Sequence, residues 1–147
     1  KAESLIADER SVNDRLEAQY VKAKSYLATS RRDEAMALLE NLSADKSSSY
    51  GAEAAFILIQ NSYDRGEFDK VEERVYAFAD AGSGQTYWLA KSFIVLGDSF
   101  MERDEVEQAK ATFESVRDGY TPSGDTDDVL DNVKLRLSKI EEMSKQE

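Results

Sequence analysis

A repeat runs through this chain. Ala35, Val71 and Ala109 each stand two residues after an acid (Asp33, Asp69, Glu107) and four before a large apolar group (Leu39, Val75, Phe113). Val71 follows Ala35 by 36 residues, and Ala109 follows Val71 by 38. Self-similarity at such a period is the signature of stacked helix-turn-helix units, each too small to bury its apolar face alone.

The rest of the chain fits that reading. Apolar residues recur at helical spacing at Val12, Leu16, Tyr20, Ala23, Tyr26 and Leu27, then at Ala35, Leu38, Leu39 and Leu42. AAFILIQNSY (54–63) is followed, after a turn, by VEERVYAFA (71–79), and AKSFIVLGDSFM (90–101) by VEQAKATFESV (106–116). Turn-forming residues cluster at 43–51, 80–86 and 119–126. A single proline and seven glycines in 147 residues leave few breaks.

These patterns predict an all-α chain forming one domain. Its hairpins span 12–42, 51–80 and 87–119, and an amphipathic capping helix spans 127–145. Residues 1–10 read as the remnant of a preceding helix. With no initiator Met before Lys1, the chain is expected to be a piece of a longer array.

Thirty acids against nineteen bases give a net charge of −11, which disfavours nucleic-acid phosphates and anionic membrane surfaces and suits a basic or apolar protein partner. No apolar run approaches the roughly 20 residues of a membrane span. The chain has no Cys, which removes disulfides and thiolate metal sites, and no His, which removes most general-base and imidazole chemistry. No Gly-rich phosphate loop occurs. The expectation is a protein that is not an enzyme and carries no cofactor or metal.

Phe93-x2-Leu96-Gly97-x2-Phe100, followed by Ala109-x3-Phe113 and by Pro122, resembles the tetratricopeptide repeat (TPR) pattern. In the second hairpin Ile59 and Val71 hold the small-residue places; in the first, Ala23, Tyr26 and Ala35 fit, and Ser30 stands where Gly66 does. The acidic loops and closing helix are also similar to repeat proteins of the Gram-negative cell envelope, which implies a periplasmic or envelope location, with the cytoplasm second.

The TPR resemblance implies an α-α superhelix, a solenoid in which Gly97 and Ala109 let paired helices cross closely while Phe113 and its neighbours fill the sides. It implies a concave groove lined by each hairpin's first helix. That groove would show Tyr20, Lys24 and Leu27, then Phe56, Gln60 and Tyr63, then Lys91, Ile94, Asp98 and Met101. Tyr20, Phe56, Tyr63 and Met101 are the candidate anchors for an extended or helical peptide. A clamp on a peptide's terminal carboxylate is not expected, because no Asn matches Tyr20 and Lys24 in the next hairpin.

Other features have plainer readings beside sharper ones. Tyr87 and Trp88 read as a staple between the second and third hairpins, or as an exposed ligand platform. Seven acids between 98 and 118 read as a solvated face, or as a dock for a basic partner. Asp125, Asp127 and Asp128 read as capping of the last helix, since the run lacks an EF-hand's alternating ligands. The expected function is a non-catalytic protein interaction scaffold; the alternatives are an assembly or oligomerisation element of a larger envelope protein, joining another copy or another domain of its own chain, and a glycan- or small-ligand-binding accessory protein.

Overall fold

The computed structural model describes the backbone of residues 2–146 and the side chains of residues 12–146. Among the described residues seven helices follow one another: α1 (Ala2–Ala28), α2 (Arg32–Ser43), α3 (Ser49–Asp64), α4 (Phe68–Asp80), α5 (Thr86–Glu102), α6 (Val106–Gly119) and α7 (Val129–Lys145). No strand occurs among the described residues. The first six helices pair as hairpins, α1 with α2, α3 with α4 and α5 with α6.

The N-terminal expectation needs correction. Residues 2–28 form one unbroken helix, so the segment before residue 11 continues the first hairpin instead of ending an earlier helix. Nothing in that stretch would break it, as the first glycine is Gly51 and the sole proline Pro122. The last helix begins at Val129, two residues later than the sequence pattern places it.

The repeat is most exact at the hairpin turns. Ser30, Gly66 and Asp104 have φ of 64°, 73° and 60°, the left-handed conformation that closes a helix. After each, the next N–H reaches back five residues: Arg31 to the Tyr26 carbonyl at 2.8 Å, Glu67 to Ser62 at 2.9 Å and Glu105 to Phe100 at 2.8 Å. The left-handed residue itself donates three residues back, to Leu27, Tyr63 and Met101. This pair of bonds is the Schellman closure. Arg31, Glu67 and Glu105 then serve as N-caps of α2, α4 and α6, and none does so through its side chain.

Two glycines hold the packing together by lacking a side chain. Gly51, which the sequence pattern puts in a connection, lies buried inside α3; a Cβ there would meet the Asp45 carbonyl oxygen at 1.7 Å and that of Leu42 at 2.7 Å. The N-terminus of α3 is pressed against the chain leaving α2, and the Ser48 hydroxyl caps it by accepting from the Gly51 N–H at 2.9 Å. Gly97 is also buried, but its neighbour differs from expectation. A Cβ there would stand 2.4 Å from the ring of Phe113, so Phe113 rather than Ala109 lies over the glycine. Ala109 is fully buried nearby in the same core.

The apolar interior forms two clusters that meet at α3. Ala54 and Leu58 face the first hairpin with Ala23, Leu39 and Leu42. Ala52, Ala55 and Ile59 join the larger cluster with Val71, Phe78, Leu96, Phe113 and Val133. A helix buried on two sides has little room for polar residues, which explains the unbroken apolar run at 54–59.

Across the stack, the backbones of α1, α3, α5 and α7 approach one another in sequence, whereas those of α2, α4 and α6 do not. An arginine spans the wider side, Arg74 on α4 reaching Glu40 on α2 at 2.8 Å; Arg103, at the end of α5, reaches Asp69 at 2.8 Å and Glu72 at 2.9 Å on α4.

Candidate functional site

The candidate groove residues fall on successive first helices in register: Tyr20, Phe56 and Ile94; Lys24, Gln60 and Asp98; Leu27, Tyr63 and Met101. All but two are partly exposed. Lys24 is exposed, and Ile94 is 6% exposed, packed into the core. Ile94 is therefore removed from the open face, because the α5 surface at that level turns toward the interior.

Much of the polar equipment on this face is already used between hairpins. The Tyr20 hydroxyl donates to both Glu53 oxygens, at 3.0 and 2.9 Å, and Lys24 Nζ lies 2.9 Å from Glu53 Oε2. Burial and the Glu53 hydrogen bond push the Tyr20 hydroxyl up from its usual value, and the Glu53 hydrogen bond raises Lys24. Gln60 donates to Asp64 on its own helix at 3.0 Å. The Tyr63 hydroxyl donates to Glu102 at 3.3 Å, and burial followed by the charges of Asp98 and Glu102 raises it.

Asp98 is held by Arg136 on α7 through two parallel bonds of 2.8 and 3.0 Å. Bidentate pairing of this kind fixes geometry as well as charge. The sequence reading ends the face at α5 and misses Arg136. The signal is present: the 38-residue step that carries Gln60 to Asp98 carries Asp98 to Arg136 and Met101 to Lys139. α7 continues the row of first helices and packs on α6.

Where α3, α5 and α7 meet, a hollow of about 360 Å³ opens, lined by Tyr63, Asp98, Met101, Leu135, Arg136 and Lys139 among others. Leu135 is 56% exposed there. One level up, Phe56 packs on Trp88 with ring centroids 5.6 Å apart, and Lys91 lies beside both. Trp88 thus bridges the second and third hairpins, while the Tyr87 hydroxyl reaches toward Asp128 at 3.5 Å.

The remaining acids are mostly committed. Arg103 gathers Asp69, Glu72 and Glu105, and Arg117 lies between Glu114 and Asp118. Asp127 organises the connection to α7. One of its oxygens accepts from the Val129 N–H at 3.0 Å; the other accepts from the Tyr120 hydroxyl and from the Ser123 N–H and hydroxyl at 3.0 and 3.1 Å. Burial opposes its charge, yet these donors bring Asp127 down to about 2. Burial and the Asp127 bond take Tyr120 to about 12. Asp128 is the N-cap of α7 without a side-chain bond to it.

Among the described residues no three His, Cys, Asp or Glu side chains converge as a metal ion would require, and no helix is long and apolar enough to cross a membrane. Comparison with protein-family models, with curated proteins and with solved structures gives no match.

Proposed function

We propose that the chain is a TPR-like superhelix and a non-catalytic interaction scaffold that seats a peptide or helix of a partner protein on its first-helix side. Helices that touch on one side and stand apart on the other make a stack that bends toward the touching side, which would make the row α1, α3, α5, α7 the inner wall. The observation that carries this reading is the hollow between α3, α5 and α7, where Tyr63, Met101 and Leu135 supply apolar surface beside the charges of Arg136 and Lys139. Aromatic and flexible side chains framed by polar ones are the usual composition of a binding hot spot.

The test is capture of partners by the full chain against a Tyr63→Ala, Met101→Ala variant of unchanged helicity. Loss of the captured protein supports the groove; identical capture sinks it.

A second reading, assembly with another copy, has its own observation. Val21 stands where Ile57 and Val95 stand, and Ile57 packs on the preceding hairpin while Val95 is 5% exposed. Val21 is 58% exposed. If this face of α1 takes a further copy, light scattering shows a mass rising with concentration that Val21→Glu abolishes; a constant monomer mass removes the assembly reading.

A further inference from the structure

On the inner row, between the Tyr20–Glu53 tie and the hollow, three aromatic rings converge on one ammonium. Lys91 Nζ lies 5.4 Å from the centroid of Phe56, 5.3 Å from that of Tyr87 and 5.9 Å from that of Trp88. The rings support one another, Tyr87 standing edge-on to Trp88 at 5.0 Å and Phe56 tilted against Trp88 at 5.6 Å. All three rings and Lys91 are partly exposed. Lys24 and Arg136 on the same row are paired with Glu53 and Asp98, but among the described residues no carboxylate pairs with Lys91.

A ring face carries partial negative charge and attracts a cation within about 6 Å of its centroid. Here that attraction from three rings is what Lys91 gains in place of a counter-ion. The cluster is therefore a built cation acceptor that the chain fills with its own side chain. A lysine ammonium is strongly hydrated and sits on a flexible stem, so it returns to water readily; a guanidinium is planar, more weakly hydrated and stacks on aromatic faces. A chain of net charge −11 also concentrates basic ligands around itself.

We propose that the ring cluster of Phe56, Tyr87 and Trp88 receives an arginine side chain of the bound partner, which displaces Lys91 from between the rings. The proposal rests on the groove reading and adds the partner's chemistry: a basic peptide, with an arginine placed at the junction of α3 and α5.

Trp88 is the sole tryptophan, so its fluorescence reports on this cluster alone. The full chain is titrated with acetyl-arginine amide, acetyl-glutamate amide and acetyl-norleucine amide, with far-ultraviolet circular dichroism confirming that each variant stays helical. The expected result is a saturable response to the arginine probe only, tightened roughly threefold or more by Lys91→Met, which keeps the stem and removes the competing charge. Phe56→Leu abolishes the response, and Tyr87→Leu serves in its place if the first variant unfolds.

Silence toward arginine in Lys91→Met overturns the proposal, as does equal affinity in the variant and the parent. A response to the glutamate probe that Lys91→Met removes overturns it too, and makes Lys91 an anion site. The groove reading fails separately. Partner capture that depends on Tyr63 and Met101 without any arginine response keeps the groove and discards the cation acceptor. An arginine response with capture indifferent to Tyr63 and Met101 keeps the acceptor and discards the groove.

Discussion

Gly51 and Gly97 are both buried in first helices at places where a methyl group would collide, but with different neighbours. At Gly51 the neighbour is backbone, the carbonyls of Asp45 and Leu42; at Gly97 it is the ring of Phe113. A ring can tilt or be exchanged for a smaller side chain. A carbonyl can retreat only if the whole connection between α2 and α3 moves, taking the Ser48 cap with it. The first contact fixes how one hairpin follows another, and the second fixes how one hairpin closes on itself.

The largest expected effect is therefore Gly51→Ala. With the Cβ placed 1.7 Å from a carbonyl oxygen, the connection must open, and we expect a loss of about 3 kcal/mol or more in urea unfolding, beyond ordinary overpacking. A midpoint close to the parent's would show that the junction yields freely and would erase the distinction. Gly97→Ala comes next, at about 1–2 kcal/mol, since overpacking against Phe113 is partly offset by the roughly 1 kcal/mol alanine gains over glycine in a helix. Introduced on top of Phe113→Leu, the same Gly97→Ala change should be nearly neutral. A double-mutant cycle with no coupling would mean the ring is not what excludes the methyl group.

A third glycine gives a smaller effect of another kind. Gly66 has open space around it, so Gly66→Ala meets only the strain of φ 73° and should cost about 1 kcal/mol. Ser30→Gly at the equivalent turn should change stability by less than about 0.5 kcal/mol, because relief of the left-handed strain is offset by the freer unfolded chain. A large loss there would mean that the three turns are not equivalent.

These contrasts separate what is legible in the sequence from what is not. The hairpins, their register and the room made by Gly97 follow from helical periodicity and from a pattern of small and aromatic residues, both local in sequence. Gly51 reads as a loop residue because its reason lies in the path of the preceding connection, which no helical pattern records. Residues 1–10 read as a separate piece because the helical apolar stripe of the first hairpin is read from Val12 onward, yet nothing before it ends a helix. On the candidate face, Phe56 and Tyr63 are partly exposed, as the pattern requires, and Ile94 is not. One residue's step around a helix is about 100°, and which positions close depends on the neighbouring helices. Asp98 reads as available because its partner, Arg136, lies on a helix whose pattern suggests only capping.

The connection from α6 to α7 extends the comparison to a junction held by protons. The close contact at Gly51 is backbone against backbone and has no ionisable part, whereas the 120–128 connection is drawn around the Asp127 carboxylate and the Tyr120 hydroxyl. Asp127 is depressed to about 2, so its contribution is fully present above the ordinary carboxylate range near 4 and is lost as pH falls through about 2. Tyr120 is raised to about 12, so the contribution of its protonated form is full below its ordinary value near 10 and is lost as pH rises through about 12. Carboxyl-carbon and tyrosine ring-carbon NMR titrations should show Asp127 titrating near about 2, below the ordinary carboxylate range, and Tyr120 near about 12, above tyrosine's ordinary value. Asp127→Asn should return Tyr120 toward its usual range and speed amide exchange at Ser123 and Val129, while leaving exchange at Gly51 unchanged. If Asp127 titrates in the ordinary carboxylate range, the carboxylate does not hold this junction, and the contrast between the two connections is lost.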